Sequence, residues 1–257
     1  MKILQRMTLV LFAAAVLLFA GNEVYHHLYV DDVAPILTCQ SDTVEVGLGD
    51  TEAALLRGVS AHDDRDGDLT AQIIIKGVTQ LIGENTAKVT YVVFDKANNM
   101  ATCTRTVRYT DYEKPSFTLR QAAVYPMGGP VMLLDRLHAD DVVDGDISGN
   151  IRIISQNVNA KEPGNYSVTA QVSNSLGDIS TVTLKVVITA AEELQLTLSD
   201  YIVYLDKGAQ FTPQSYITAP EARLVTVEHE VNTKLAGTYH VCYTYGDDTV
   251  WQTVIVD

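Results

Sequence analysis

The chain has 257 residues, a formal charge of −14, and a 47% apolar share against 19% charged residues. That balance excludes a disordered tail or a collagen-like fibre. Eighteen Lys and Arg against 32 Asp and Glu argue against a nucleic-acid partner, which needs a basic face.

Lys2 and Arg6 precede an unbroken apolar run from Met7 to Ala20, followed by Gly21, Asn22 and Glu23. A basic start followed by such a run is the pattern of an export signal. The run alone is short for a span of about 20 apolar residues. Ile3 and Leu4 before it, and Val24, Tyr25, Leu28, Tyr29 and Val30 after it, lengthen the segment. Arg6 suits the headgroup layer, and Tyr25 and Tyr29 suit an interfacial belt. A cut after Ala20 or Gly21 would put bulky Leu18 or Phe19 three residues before the cleaved bond. The expectation is a membrane contact over residues 3–30: an uncleaved single-pass anchor, residues 1–33, with the rest outside the cell. Secretion after cleavage is the alternative.

The body of the chain repeats. Ala61-His-Asp63-Asp-Arg-Asp66-Gly67-Asp68-Leu69-Thr70 returns as Ala139-Asp-Asp141-Val-Val-Asp144-Gly145-Asp146-Ile147-Ser148. Further on, Val89-Thr-Tyr-Val-Val93 with Asp95-Lys-Ala-Asn-Asn99 returns as Val168-Thr-Ala-Gln-Val172 with Asn174-Ser-Leu-Gly-Asp178. Pro35 and Pro115 mark matching starts. A weaker third copy has Gly237-Thr-Tyr239-His-Val241 echoing Gly164-Asn-Tyr166-Ser-Val168, and it lacks the Asp-Gly-Asp element. Three repeats follow, because self-similarity at this spacing marks an array.

Inside each repeat the apolar period is two. Val182, Leu184, Val186 and Ile188 alternate with Thr181, Thr183 and Lys185, and Tyr239, Val241 and Tyr243 with His240, Cys242 and Thr244. Such runs, bounded by Gly, Asn and Asp, read as half-buried strands, about six or seven per repeat in the manner of a β-sandwich. The expected fold is all-β: tandem sandwich domains at 34–111, 115–189 and 192–257, the last divergent, preceded by one N-terminal hydrophobic helix. The junctions Asp111–Pro115 and Thr189–Glu193 are short, which suggests a semi-rigid string.

The order of a Pro, a Val-x-Val-x-x-Gly strand, the Asp-Gly-Asp turn, Gly-x-Tyr-x-Val and a closing Thr-x-Val strand resembles bacterial immunoglobulin-like repeats of the Cry22Aa-type Ig-like domain family. The resemblance covers most of 34–189 and little of 194–257. It implies an Ig-like sandwich used on cell surfaces as a spacer or adhesion module, and it implies no enzyme activity.

Cys39 falls in the first strand of repeat one and Cys103 in its last, opposite the apolar counterparts Leu119 and Val182 of repeat two. First and last strands are neighbours in Ig-like sandwiches, so a Cys39–Cys103 disulfide is expected in an exported chain, in place of two buried thiols. Cys242 is left over, on the face of its strand opposite to Val241 and Tyr243. It is either an intermolecular link or a tolerated half-exposed thiol.

Asp63, Asp64, Asp66 and Asp68, with Asp140, Asp141, Asp144 and Asp146 in repeat two, are the candidate metal ligands, and Ca²⁺ is the cofactor they would suit. The EF-hand pattern fails, because Ile73 or Ile151 stands where a bidentate Glu is needed. Asx turns into the next strand account for the same residues. The six His show no H-E-x-x-H, and Glu228-His229-Glu230 reads as a charged strand edge. Tyr201, Tyr204, Tyr216 and Trp251 in the third repeat are the candidate binding residues for a surface glycan or protein, with core packing as the competing account.

The sequence thus points to a non-enzymatic, membrane-anchored surface protein whose modules act as an extracellular spacer, with adhesion or ligand binding at the C-terminal module. A structural assembly subunit joined by domain stacking or Cys242 is the alternative, and a calcium-stiffened rod is the next.

Overall fold

A computed structural model describes residues 2–83, 85–190 and 193–257; Met1 and position 192, the expected start of the third module, lie outside them. The chain divides into two compact units, Met1–Thr110 and Asp111–Asp257.

The first unit opens with helix α1 (Lys2–Tyr29). Its stretch Gln5–His26 is 22 residues long, or about 33 Å at 1.5 Å per residue, enough for a bilayer's hydrocarbon core. Within Gln5–His26 the large apolar side chains are bare: Leu9, Phe12 and Leu18 are 71%, 69% and 76% exposed. Then come β1 (Ile36–Cys39), β2 (Thr43–Val46), the single-turn helix α2 (Glu52–Leu55), β3 (Val59–Asp63), β4 (Gly67–Asp68), β5 (Ile74–Val78), β6 (Thr86–Phe94) and β7 (Met100–Tyr109). They form two sheets, ordered β1-β3-β4 and β2-β7-β6-β5.

The second unit repeats that plan with β8 (Ser116–Leu119), β9 (Val124–Pro126), β10 (Leu137–Asp141), β11 (Gly145–Asp146), β12 (Arg152–Gln156), β13 (Gly164–Ser173) and β14 (Ile179–Thr189). The sheets are β11-β10-β8 and β12-β13-β14-β9. It continues with β15 (Thr197–Leu198), β16 (Ile202–Leu205), β17 (Ile217–Ala219), β18 (Thr226–His229), β19 (Gly237–Tyr245) and β20 (Asp248–Val256), in sheets β15-β17 and β16-β20-β19-β18. The edge position of β18 suits the charged Glu228-His229 pair it carries.

In each module the opening segment is split between the two sheets. Its first half pairs antiparallel within the small sheet, and its second half (β2, β9 or β16) runs parallel to the closing strand. Register shifts between Ile75 and Gly77 and between Ile153 and Ser155 put a bulge at the same place in modules one and two. Gly67 (φ +77°) and Gly145 (φ +71°) turn β4 and β11 in the left-handed region, which explains the glycine at the centre of each Asp-Gly-Asp.

The alternation places Val182, Leu184, Val186 and Ile188 in the core as expected, and Val187 is buried as well. Within the second unit the cores of modules two and three are continuous. The Tyr204 hydroxyl accepts from Phe117 N at 2.7 Å, Trp251 Nε1 donates to Asn165 Oδ1 at 2.9 Å, and Leu196 in the connection is fully buried.

One core position is filled in three ways. In module one Arg105, only 4% exposed, donates through Nε to the Tyr91 hydroxyl at 3.0 Å and through its guanidinium to the carbonyls of Leu55 and Arg57. In module two the same strand positions hold Ala170 and Leu184, a purely apolar pair. In module three they hold Tyr243 and Gln252: the Tyr243 hydroxyl donates to Gln252 Oε1 (2.8 Å) and faces Pro213 O (3.1 Å), while Gln252 Nε2 donates to Asp200 O. Burial pushes the Tyr243 hydroxyl well above the ordinary phenol range, so it stays a donor. A Tyr243→Phe substitution leaves those buried acceptors without their proton. It is expected to cost about 1–3 kcal/mol in denaturant unfolding, and an unchanged midpoint would refute this role.

Candidate functional site

The two acidic turns are closed hydrogen-bonded structures. Asp63 Oδ1 accepts from the amides of Arg65 (2.9 Å) and Asp66 (2.8 Å), and Asp141 Oδ1 accepts from Val143 (2.9 Å) and Asp144 (3.0 Å). Asp68 and Asp146 each cap the following turn, accepting from Thr70 N and Ser148 N at 2.9 Å. Those bonds hold both carboxyls below the usual carboxylate range. Asp66 accepts from the backbone and side chain of Lys96, whose ammonium at 2.8 Å lowers the Asp66 carboxyl and is itself raised. Asp144 accepts from Ser175 N and Oγ. Asp64 and Asp140 are exposed.

The expected sets therefore do not converge within either turn. Among the described residues, the carboxylates that meet are Asp31, Asp63 and Asp95, each with an oxygen within 4.8 Å of the others. Asp63 is on β3, and Asp95 is in the tight turn after β6. Asp31 is in the segment between α1 and β1, where no pattern in the sequence marked it. Asp63 is 2% and Asp95 6% exposed, and Asp63 Oδ2 is enclosed with no hydrogen-bond partner. Two like charges at that spacing repel by roughly 3 kcal/mol at an effective dielectric constant near 20. Val33 N donates to Asp31 Oδ1 at 3.3 Å, and the side-chain amide of Asn99 reaches in, with Nδ2 facing Asp95 Oδ2 (2.7 Å) and the carbonyls of Asp31 (3.1 Å) and Val33 (3.2 Å). An amide nitrogen has two hydrogens for those three acceptors.

Cys39 and Cys103 are joined by a disulfide that ties the β1 sheet to the β7 sheet, so the bridge spans the sandwich. Closing a loop of about 65 residues contributes about 4 kcal/mol in the chain-entropy model. Cys242 is a free, half-buried thiol lying between Glu228 and Trp251 on neighbouring strands. Burial and Glu228 push its pKa up, which lowers its reactivity as a linking thiol.

The four aromatic candidates do not share an exposed face. Tyr201 is 4% exposed, with its hydroxyl accepting from Leu198 N. Tyr204 and Trp251 direct their polar atoms into module two, and Tyr216 packs on Phe211 at 5.9 Å. What the third module does build with the second is a cleft of about 450 Å³. Arg120, Tyr125 and Arg136 line it on one side and Leu194, Thr197 and Tyr201 on the other. Arg136 stacks 4.4 Å from the Tyr125 ring centroid, and the Tyr125 hydroxyl is buried without a partner.

No family model matches the chain. Its sequence is 30% identical over 149 residues to pesticidal crystal protein Cry22Aa of Bacillus thuringiensis, covering 54% of this chain and 20% of that protein. It is 26% identical over 231 residues to an uncharacterized 81.3 kDa protein of Acholeplasma phage L2, covering 85% of this chain and 31% of that protein. The chain thus spans about a fifth and about a third of these relatives. Among solved structures, the CBM51-2 and INT domains of Clostridium perfringens ZmpB, in complex with GlcNAc, align at TM-score 0.25 and 18% identity, over 57% of this chain and 26% of that one.

His240 sits beside this interface, with Nδ1 3.4 Å from Thr253 Oγ1 and its ring edge-on to Trp251. Burial, then the Lys185 ammonium, hold its pKa below the ordinary value of 6.5. Below about pH 6.5 the unfolded chain binds a proton here that the folded chain refuses, so stability falls as pH drops. Denaturant unfolding at about pH 7.5 and about pH 5.5 should show a smaller loss in His240→Gln than in the parent, and equal losses would refute the assignment.

Proposed function

We propose that this chain is a non-enzymatic, membrane-tethered cell-surface protein. In this reading α1 holds it in the membrane, and its Ig-like modules serve outside the cell as a spacer with a ligand surface at the C-terminal end. The observation that carries the reading is α1 itself: a stretch of spanning length whose large apolar side chains have no protein to pack against. Apolar surface of that extent is stable only in lipid or against another chain. The inter-sheet disulfide supports the oxidising side of the membrane for the modules. The chain matches a fifth of Cry22Aa and about a third of a phage protein, as a unit carried within longer chains would. In this reading the ligand surface lies in the cleft between modules two and three, where Arg120 and Arg136 offer charged donors to a sugar or an acidic protein segment.

Alkaline extraction of membranes, with protease applied to intact cells, tests the tether. The chain should stay in the pellet, and the 34–257 portion should be clipped from outside with Cys39 and Cys103 resistant to alkylation until reduced. A chain that is released by alkali, or shielded from external protease, overturns the reading.

A further inference from the structure

Modules one and two have the same turn geometry around one buried aspartate but different chemistry at it. In module two, Asp141 Oδ2 accepts from Asn174 Nδ2 at 3.0 Å. Asn174 Nδ2 also donates to the Tyr112 hydroxyl, which donates to Asp178 Oδ2, both at 2.8 Å. Burial and Asp178 hold that hydroxyl in its protonated form. Every polar atom in the chain from Asp141 to Asp178 has a partner.

In module one the residue at the Asn174 position is Asp95, and the residue at the Asp178 position is Asn99. The turn itself is unchanged: Asp95 Oδ1 accepts from Asn99 N at 2.7 Å as Asn174 Oδ1 accepts from Asp178 N at 2.9 Å. A carboxyl stands where Asn174 presents its N–H₂ group, and Asp63 Oδ2 is buried without a partner. Asp31 then adds a third carboxylate within 4.8 Å. Lys96, the adjacent cation in sequence, is turned away onto Asp66.

We propose that Asp31, Asp63 and Asp95 bind a calcium ion. The site is independent of whether α1 lies in a bilayer. The donors are all oxygen and carry three negative charges, with no His or Cys among them, which selects a hard cation over zinc. Ion–oxygen distances of about 2.3–2.6 Å span the observed spacing, and the carbonyls around Asn99 leave room for a coordination number above that of the carboxylates alone. Two of the ligands belong to the sandwich and the third to the segment leaving α1. Calcium therefore fastens the helix exit to the first module, a role the acidic turns by themselves do not provide.

Calorimetric and thermal-melt titration of the full chain in detergent micelles with CaCl₂ tests the site, with MgCl₂ as the parallel arm. One ion is expected per chain, half-saturating on the order of 0.1–1 mM, with a melting temperature that climbs with added Ca²⁺. Asp31→Asn lies outside the sandwich and should weaken binding at least about tenfold without loss of fold. Asp95→Asn copies module two and gives Asp63 Oδ2 a donor. It should melt no lower than the parent in chelator and no longer respond to Ca²⁺. No heat and no melting shift in the parent up to about 10 mM Ca²⁺ overturns the proposal. So do Asp31→Asn and Asp95→Asn titrating like the parent, and equal affinity for Mg²⁺ overturns the choice of calcium.

Discussion

Each module depends on the antiparallel pairing of its last two long strands. Thr86–Phe94 pairs with Met100–Tyr109, Gly164–Ser173 with Ile179–Thr189, and Gly237–Tyr245 with Asp248–Val256, each over a long register without a break. These hairpins supply one wall of each core, Val89, Tyr91, Val93 and Val107 in module one, and the other strands are added to their edges or laid across their inner faces. The parallel addition of the second half of the opening segment to the closing strand completes the larger sheet in all three. Because the pairing partners are adjacent in sequence, little chain entropy is lost in forming them. The disulfide of module one then acts on what the hairpin cannot fix by itself, the attachment of the short β1 sheet.

The inner face of that hairpin tolerates three chemical solutions at one place. Module two uses Ala170 and Leu184 and needs no polar accounting. Modules one and three use a tyrosine with Arg105 or Gln252, and both polar pairs end on backbone carbonyls of a neighbouring loop. A buried guanidinium is expensive to desolvate unless all its donors are engaged. Here Nε reaches the Tyr91 hydroxyl and Nη2 the carbonyls of Leu55 and Arg57, which ties a loop to the core as well as filling it. The apolar solution leaves that loop to the one tie both modules have, Arg136 on the carbonyls of Ala122 and Val124 as Arg57 is on that of Glu45. The repeats thus keep a shape and change how loops are held to it.

Much of this architecture was legible in the residues. Alternation in Val182–Ile188 and Tyr239–Tyr243 gave the strands and their inner faces, the Asp-Gly-Asp turns gave the repeat, and the apolar counterparts of Cys39 and Cys103 gave the pairing of the cysteines. The splitting of the opening segment was not legible, because four-residue strands carry too few residues to show a period. Nor was the continuity of modules two and three. It rests on single polar contacts such as Tyr204 to Phe117 N and Trp251 to Asn165, which no spacing encodes. The same contacts explain why a cluster of aromatics that looks like an exposed face in sequence is spent largely on the seam and the core.

The acidic residues show most plainly why composition understates a site. An excess of acid suggests cation ligands at every Asp-Gly-Asp, yet Asp63, Asp68, Asp141 and Asp146 each accept from an amide two or three residues away, and Asp66 and Asp144 are held by Lys96 and Ser175. An Asx turn satisfies one oxygen and leaves the other to whatever the fold brings near. In module two the fold brings Asn174, a donor, and the charge is closed off. In module one it brings Asp95 and Asp31, two acceptors, and the charge is left open. A reciprocal exchange of amide and acid at matching positions, Asp95 for Asn174 and Asn99 for Asp178, separates the closed turn of module two from the open carboxylate group at which we propose a cation. The signal was present in the aligned repeats as an Asp-for-Asn swap, and only the position of Asp31 in the segment after the helix had to come from the fold.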